Sequence, residues 1–224
     1  SEMCIRDSRY IAFLKSKGIK IGNNCIALYP RSISIDVSRP TLLEIGDNVF
    51  LHKGTTIMTH DFASYVFVNK YNEFIPSHGK VKIGNNVWFG MNCTVLKGVT
   101  IGDNCIIGIG SIVTKDIPAN SVAIGNPAKV VCSLDEYFEK RKKQYLKECV
   151  DYAKSIVLTE KGNSINNESF SDDYILFVDG SNYQDYPYPY SNVFNKEQFE
   201  HWKKNHKKKF KDFDDFMKYV KSNL

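Results

Sequence analysis

"IGNNVWFGMNCTVLKGVTIGDNCIIGIGSIVTKDIP" (Ile83–Pro118) repeats itself every six residues. Position one of the six blocks is Ile83, Phe89, Val95, Ile101, Ile107 and Val113, apolar throughout. Position two is glycine in four blocks, and position five (Val87, Cys93, Val99, Cys105, Ser111, Ile117) is small or branched. A period of six matches neither the 3.6-residue turn of a helix nor the two-residue alternation of a half-buried strand. Short parallel strands joined by tight turns satisfy it. One large aliphatic residue per block then points inward, and glycine or asparagine tolerates the unusual backbone of each turn. Rungs of this kind bury their faces only against one another, which defines a solenoid.

The same pattern is present upstream, as IGNNCI from Ile21 and as IGDNVF, LHKGTT and IMTHDF from Ile45. Ile45 and Ile83 are 38 residues apart, which is not a multiple of six. Residues 61–80, with "ASYVFVNKYNEFIPSHGK" at their centre, are therefore expected to leave the solenoid as a loop. A polar, aromatic-bearing excursion from a rigid scaffold is where binding residues tend to lie.

The rest of the composition sets limits. At 224 residues, 42% hydrophobic and 25% charged, the chain has the make-up of one ordinary domain plus an appendage, able to bury a core. No apolar run approaches the ~20 residues needed to cross a bilayer, and no basic segment leads into an apolar one as in a secretory signal. Cysteines 4, 25, 93, 105, 132 and 149 are scattered without a CxxC pair, as expected of reduced buried thiols in a cytoplasmic protein. The net charge of +5 is mild, and no nucleic-acid partner is expected. There is no P-loop and no GxGxxG, so nucleotide hydrolysis and hydride transfer lack support. The first eight residues, "SEMCIRDS", match nothing downstream and resemble a cloning or sequencing scar; residues 1–18 are treated as an N-terminal segment.

The stretch from Ile83 to Val131, closing on "GNPAKVV", closely resembles the final turns of the galactoside and maltose O-acetyltransferases, a branch of the hexapeptide-repeat acyltransferases. The resemblance covers about residues 19–132. It implies a mainly β fold, a left-handed parallel β-helix with three strands per turn. It also implies acetyl-CoA as co-substrate, no metal, and a homotrimer with active sites at the subunit boundaries. The acceptor would be a sugar or glycan.

His60, in "TIMTHDF", falls where the solenoid turns into the excursion, about 23 residues before "IGNNVW". On spacing alone, a loop histidine with no role is the simpler interpretation. The matching family position carries the catalytic histidine, and the chemistry explains why. A sugar hydroxyl must lose its proton as it attacks a thioester, and an imidazole titrating near neutrality can take that proton and pass it to the leaving thiolate. Asp61 is a candidate to orient the ring or contact substrate. Adjacent strand residues face opposite ways, however, so a backbone carbonyl is an alternative orienter. Trp88 is either interface packing or a platform for the sugar or the cofactor arm. By resemblance, the backbone N–H of Met91 holds the thioester oxygen, and Ile109, Thr114, Lys115 and Lys129 contact acetyl-CoA. Lys129 stands where the family usually has an arginine, and Cys132 replaces a second one. His52 reads as a surface residue, and His78, returning from the excursion, is only a lesser candidate to touch substrate.

Residues 133–224 differ in kind. "SLDEYFEKRKKQYLKECVDYAKSIV" has helical spacing after a Ser133 cap with Glu136 three residues on, and is expected to pack on the end of the solenoid over residues 133–158. In the extension, 159–224, "LTEKGNSINNESFSDD" reads as a polar linker, "YILFVDG" as a strand, and "NYQDYPYPYSN" as an aromatic, proline-broken loop. Helices are expected to start near Asn195 and Asp212. The Lys203–Lys211 cluster is a solvated helix face or, as the lesser alternative, a contact for an anionic glycan or a membrane surface.

Together these features point to an acetyl-CoA-dependent O-acetyltransferase with His60 as general base. Alternatives are an amino-sugar N-acetyltransferase, a non-catalytic assembly scaffold, and a zinc enzyme using His52, His60 and His78.

Overall fold

The computed structural model describes residues 2–159, 165–170, 172–186 and 194–224. The chain divides into two compact units, Ser1–Glu139 and Lys140–Leu224.

The first unit opens with helix α1 (Glu2–Ser16), whose Ile11 and Leu14 are buried at the start of the repeat core. The chain then runs through β1 (Lys20–Ile21), β2 (Ile26–Ala27) and β3 (Ser34–Ile35), and again through β4 (Leu43–Ile45), β5 (Phe50–Leu51) and β6 (Thr56–Ile57). An excursion follows, made of β7 (His60–Asp61), helix α2 (Ser64–Tyr71) and β8 (Ser77–His78). Two further turns carry β9 (Val81–Ile83), β10 (Val87–Phe89) and β11 (Thr94–Val95), then β12 (Thr100–Ile101), β13 (Cys105–Ile107) and β14 (Ile112–Val113). A hairpin of β15 (Ser121–Gly125) and β16 (Ala128–Ser133) ends the series.

Successive strands join three different sheets in rotation, with orders β1-β4-β9-β12, β16-β15-β13-β10-β5-β2 and β14-β11-β6-β3. Every pairing between turns is parallel, and among the described residues only the closing hairpin and the β7–β8 pair are antiparallel. In the last two turns Lys82 lies opposite Thr100, Val87 opposite Cys105 and Thr94 opposite Ile112, an offset of 18 residues on each side. Three hexads therefore make one turn. Positions one and five of the blocks from Ile83 to Val113 all lie in one buried cluster, apart from Ser111, a buried polar residue.

The two turn residues have separate reasons. The asparagines Asn24, Asn48, Asn86, Asn104 and Asn120 sit at positive φ near 55°, and their side-chain amides stack on one another between turns, as in Asn86 to Asn104 at 2.8 Å. Asparagine is the residue that tolerates this left-handed backbone best after glycine. The glycines at position two are needed on other grounds. A Cβ on Gly84 would meet the Asp103 backbone N at 2.8 Å, so glycine lets adjacent turns approach rather than bend.

The second unit has its own core, built from Cys149, Val150 and Ala153 with Phe170, Leu176, Phe177, Val178, Phe216 and Val220. Helix α3 (Leu134–Val157) begins with the expected box: the Glu136 N–H donates to Ser133 Oγ at 3.2 Å, and the Ser133 N–H to Glu136 Oε2 at 2.8 Å. Its buried side chains, Cys149, Val150 and Ala153, belong to this second core. "YILFVDG" is not a strand. Tyr174–Leu176 form a 3-10 turn whose Leu176 carbonyl accepts the N–H groups of Lys209 and Phe210, and Phe177 and Phe216 stack beside it at 5.8 Å. Tyr174, Leu176, Phe177 and Val178 are buried within the second core, with the rings of Phe213 and Phe216 against Phe177, an environment that needs no sheet partner. The expected linker contains a 3-10 turn, Asn167–Phe170, with Phe170 fully buried. Most of the tyrosine-proline loop lies outside the described residues. Helices α4 (Lys196–Asn205) and α5 (Phe213–Ser222) start from Asn195 and Asp212 caps as expected. No helix of the described residues is long and apolar enough to cross a membrane.

Candidate active site

His60 lies on β7, three residues past β6, where the chain leaves the turn between two sheets. Its Nδ1 is hydrogen-bonded to Asp36 Oδ2, with Ser38 Oγ at 3.4 Å. Asp36 follows β3 on the preceding turn, so the parallel β3–β6 pairing brings the two side chains together. The carboxylate also accepts from Thr59 Oγ1, from Ser38 Oγ at 2.7 Å and from the Ser38 N–H at 3.0 Å. Burial opposes its charge, but the hydrogen bonds from Thr59, Ser38 and His60 outweigh that and hold the carboxyl well below the usual range. A permanent anion against Nδ1 fixes the ring's tautomer and leaves Nε2 as the nitrogen able to accept a proton.

Asp61 does not orient the ring. It pairs with Lys97 and accepts from the Ala63 N–H at 3.0 Å and Ser77 Oγ at 3.3 Å. The alternation of side chains on β7 sends it away from the Nδ1 side. Neither does a backbone carbonyl take that role; Asp36 does, and it went unrecognised because no hexads are legible between Ala27 and Glu44. The alternating run "SISID" (residues 32–36) was the available signal.

His60, Asp61, Lys97 and Thr114 line one cavity of about 160 Å3 with Met58 and Leu96. Thr114 is thus brought to His60, while Lys115 beside it is exposed. The other expected residues lie elsewhere on the same chain. Trp88 is exposed on the six-stranded sheet, opposite Phe50 and Ile106. Met91 and Ile109 share the corner after that sheet, one turn apart and both exposed, with Gly110 N–H donating to the Met91 carbonyl at 2.8 Å. Lys129 is exposed on β16. His60 and Thr114 follow the four-stranded β14-β11-β6-β3 sheet, whereas Met91 and Ile109 precede it.

His78 pairs with His60 across the β7–β8 ladder, and His52 Nδ1 accepts the Lys53 N–H at 2.7 Å. Among the described residues no three metal-ligating side chains converge. A larger cavity, about 660 Å3, lies in the second unit by Phe194, His201, Trp202 and His206. Its rings stack on one another, Trp202 on His206 at 5.0 Å, and His206 Nε2 lies 2.7 Å from the Ile175 carbonyl, so these groups are tied into packing. Within the lysine cluster, Lys203 pairs with Glu200 at 2.7 Å and Lys209 lies over the Tyr145 ring.

The family model "Bacterial transferase hexapeptide (six repeats)" matches residues 80–115. Protein CapG of Staphylococcus aureus is 39% identical over 152 residues, covering 66% of this chain and 82% of that protein. Galactoside O-acetyltransferase of Escherichia coli (strain K12) is 37% identical over 126 residues, covering 56% of this chain and 59% of the relative. A maltose O-acetyltransferase structure from Clostridium difficile 630 aligns at 35% identity and a TM-score of 0.41, over 55% of this chain and 73% of that one. The chain belongs to the hexapeptide-repeat acetyltransferases, a class of acyl-transfer enzymes.

Proposed function

We propose that this protein transfers the acetyl group of acetyl-CoA to a hydroxyl of a sugar or polysaccharide precursor, directly and within a ternary complex. The observation that carries this reading is the Asp36–His60 pair on the rim of a cavity, within a family of acetyltransferases. The fold is taken as the left-handed form of the three-sided coil.

His60 Nε2 removes the proton as the acceptor oxygen bonds to the thioester carbon. Asp36 stabilises the imidazolium that results, and Nε2 then delivers the proton to the departing CoA sulfur. The carbonyl oxygen, negative in the tetrahedral intermediate, needs a fixed donor, and the backbone N–H of Met91 is assigned that role. Met91 and Ile109 are on the far side of a sheet from His60 in one chain. The working site is therefore assembled between copies: the His60 corner of one faces the Met91–Ile109 corner of the next, in a homotrimer. Thr114, Lys115 and Lys129 are assigned to the CoA arm and phosphates, and Trp88 to the sugar or the arm. The relatives' names, a galactoside and a maltose O-acetyltransferase, support a sugar as acceptor.

The test is thiol release from acetyl-CoA across a panel of sugars and nucleotide-sugars, for the native protein and His60→Ala. Loss of roughly two to four orders of magnitude with CoA binding retained is expected of a general base. Near-normal turnover in the variant overturns the proposal.

A further inference from the structure

We infer that Lys97 is a positioning residue, which through its ion pair with Asp61 fixes the excursion of residues 62–76 beside the His60 cavity.

Asp61 sits at the root of the excursion and holds both of its limbs. Its Oδ1 accepts the Ala63 N–H at 3.0 Å as the chain turns into α2, and its Oδ2 accepts from Ser77 Oγ at 3.3 Å on the returning strand. The next rungs outward and inward are Ser64 Oγ donating to the Ile75 carbonyl and the Gly79 N–H donating to the Thr59 carbonyl at 2.9 Å. These bonds make the excursion stiff in itself, but they join it only to its own root. Lys97 comes from elsewhere, the turn after β11 on the following coil, and its Nζ reaches Asp61 Oδ2. Beneath the pair, Gly79 packs so closely on Gly98 that a Cβ there would lie 2.8 Å from the Gly98 N.

Farther out, packing gives little help. Phe62, Tyr65, Val66 and Phe74 are each more than half exposed. The direction in which the excursion projects is therefore set at its root, where the Asp61–Lys97 pair spans the gap to the body of the repeat. The same two side chains wall the His60 cavity, so a shift of the root changes the space an acceptor would enter. Asp36, by contrast, serves the ring of His60 and the Thr59 hydroxyl, and makes no described contact with Asp61 or Lys97.

The kinetic consequence rests on the transfer reaction proposed above; the structural one does not. Amide hydrogen exchange at residues 62–76 is measured in the native protein, Lys97→Met, Asp61→Asn, the double variant and Lys97→Arg. The two side chains are about a third exposed (31% and 33%), so a gain of roughly three- to fivefold in exchange is expected for each single variant. The double variant exchanges no faster than the singles, and Lys97→Arg restores protection because it keeps the charge. Acetyl transfer to maltose, as probe acceptor, shows KM for the sugar rising by a similar factor while the pH profile of kcat keeps its shape. Unchanged exchange, or additive effects in the double variant, overturns the inference. So does a shifted pH profile, which would return Asp61 to the proton transfer. If the native protein does not acetylate maltose, the exchange results decide by themselves.

Discussion

Asp36 and His60 are 24 residues apart in the chain and one coil apart in space, joined through the ring's Nδ1. The carboxylate is only 11% exposed as a side chain, while the imidazole is 34% exposed toward the cavity. Hydrogen bonds hold Asp36 as a charge, and the ring it anchors is the group left open to the cavity.

Asp36→Asn removes the charge while keeping the shape. It should lower kcat for acetyl transfer by about two orders of magnitude, since the imidazolium loses its counter-ion. The same variant reports on stability. The folded-state pKa of Asp36 lies below its ordinary value, so its stabilisation is fully present above the usual carboxyl range and is lost as pH falls through and below it. Urea midpoints measured from pH 7 down to 2 should show a gap between native protein and variant that holds down to the usual carboxyl range and narrows progressively below it, toward the folded-state pKa. A constant gap would contradict the assignment.

Subunit mixing tests the shared site. His60→Ala and Ile109→Trp chains, each inactive alone, are co-expressed in equal amounts. Random assembly into trimers places an intact His60 corner against an intact Ile109 corner at about a quarter of the boundaries, and activity returns to about that fraction. A site contained in one chain gives no recovery.

Gly84→Ala probes how closely turns stack. Its Cβ would fall within 2.8 Å of the Asp103 N and of the Gly102 carbonyl carbon, backbone that cannot rotate away. A loss of about 1–3 kcal/mol is expected from such overpacking, read as a lower thermal midpoint. Gly98→Ala is strained by its positive φ of 80° but meets nothing within 4 Å, so its cost is that of backbone conformation alone.

Cys149 should resist alkylation. Burial, then its hydrogen bond to Asp173 at 2.9 Å, push its thiol up to about 12. At pH 8, iodoacetamide followed by peptide mapping should leave Cys149 unmodified in the folded protein and modify it in urea. Rapid labelling of the native protein would show that the second core opens readily.

The hexads made the coil legible because each position has one job repeated many times: Ile45, Ile83 and Ile101 fill the same interior line, and Asn86 and Asn104 turn the same corner. Helix caps at Ser133, Asn195 and Asp212 were equally local, since a cap is satisfied within three residues. "YILFVDG" was misread because a short apolar run fits a strand and a ring-lined 3-10 turn alike. The periodicity of the 133–158 helix shows that a face is buried, not what covers it; the structure places Cys149, Val150 and Ala153 in the second core.

By itself the sequence determined the six-residue repeat and the place where the chain departs from it, since these follow from residue spacing along one dimension. That three hexads close one turn came from the strand register. His60 stood out only through the resemblance to the family, not through its spacing. Only the tertiary structure decided that Asp36 orients that ring, that Asp61 instead joins Lys97, and that Met91 and Ile109 sit on a different corner. Parallel stacking joins residues across a whole coil, and where the coils between them are irregular in length, no fixed spacing in the chain records which side chains will meet.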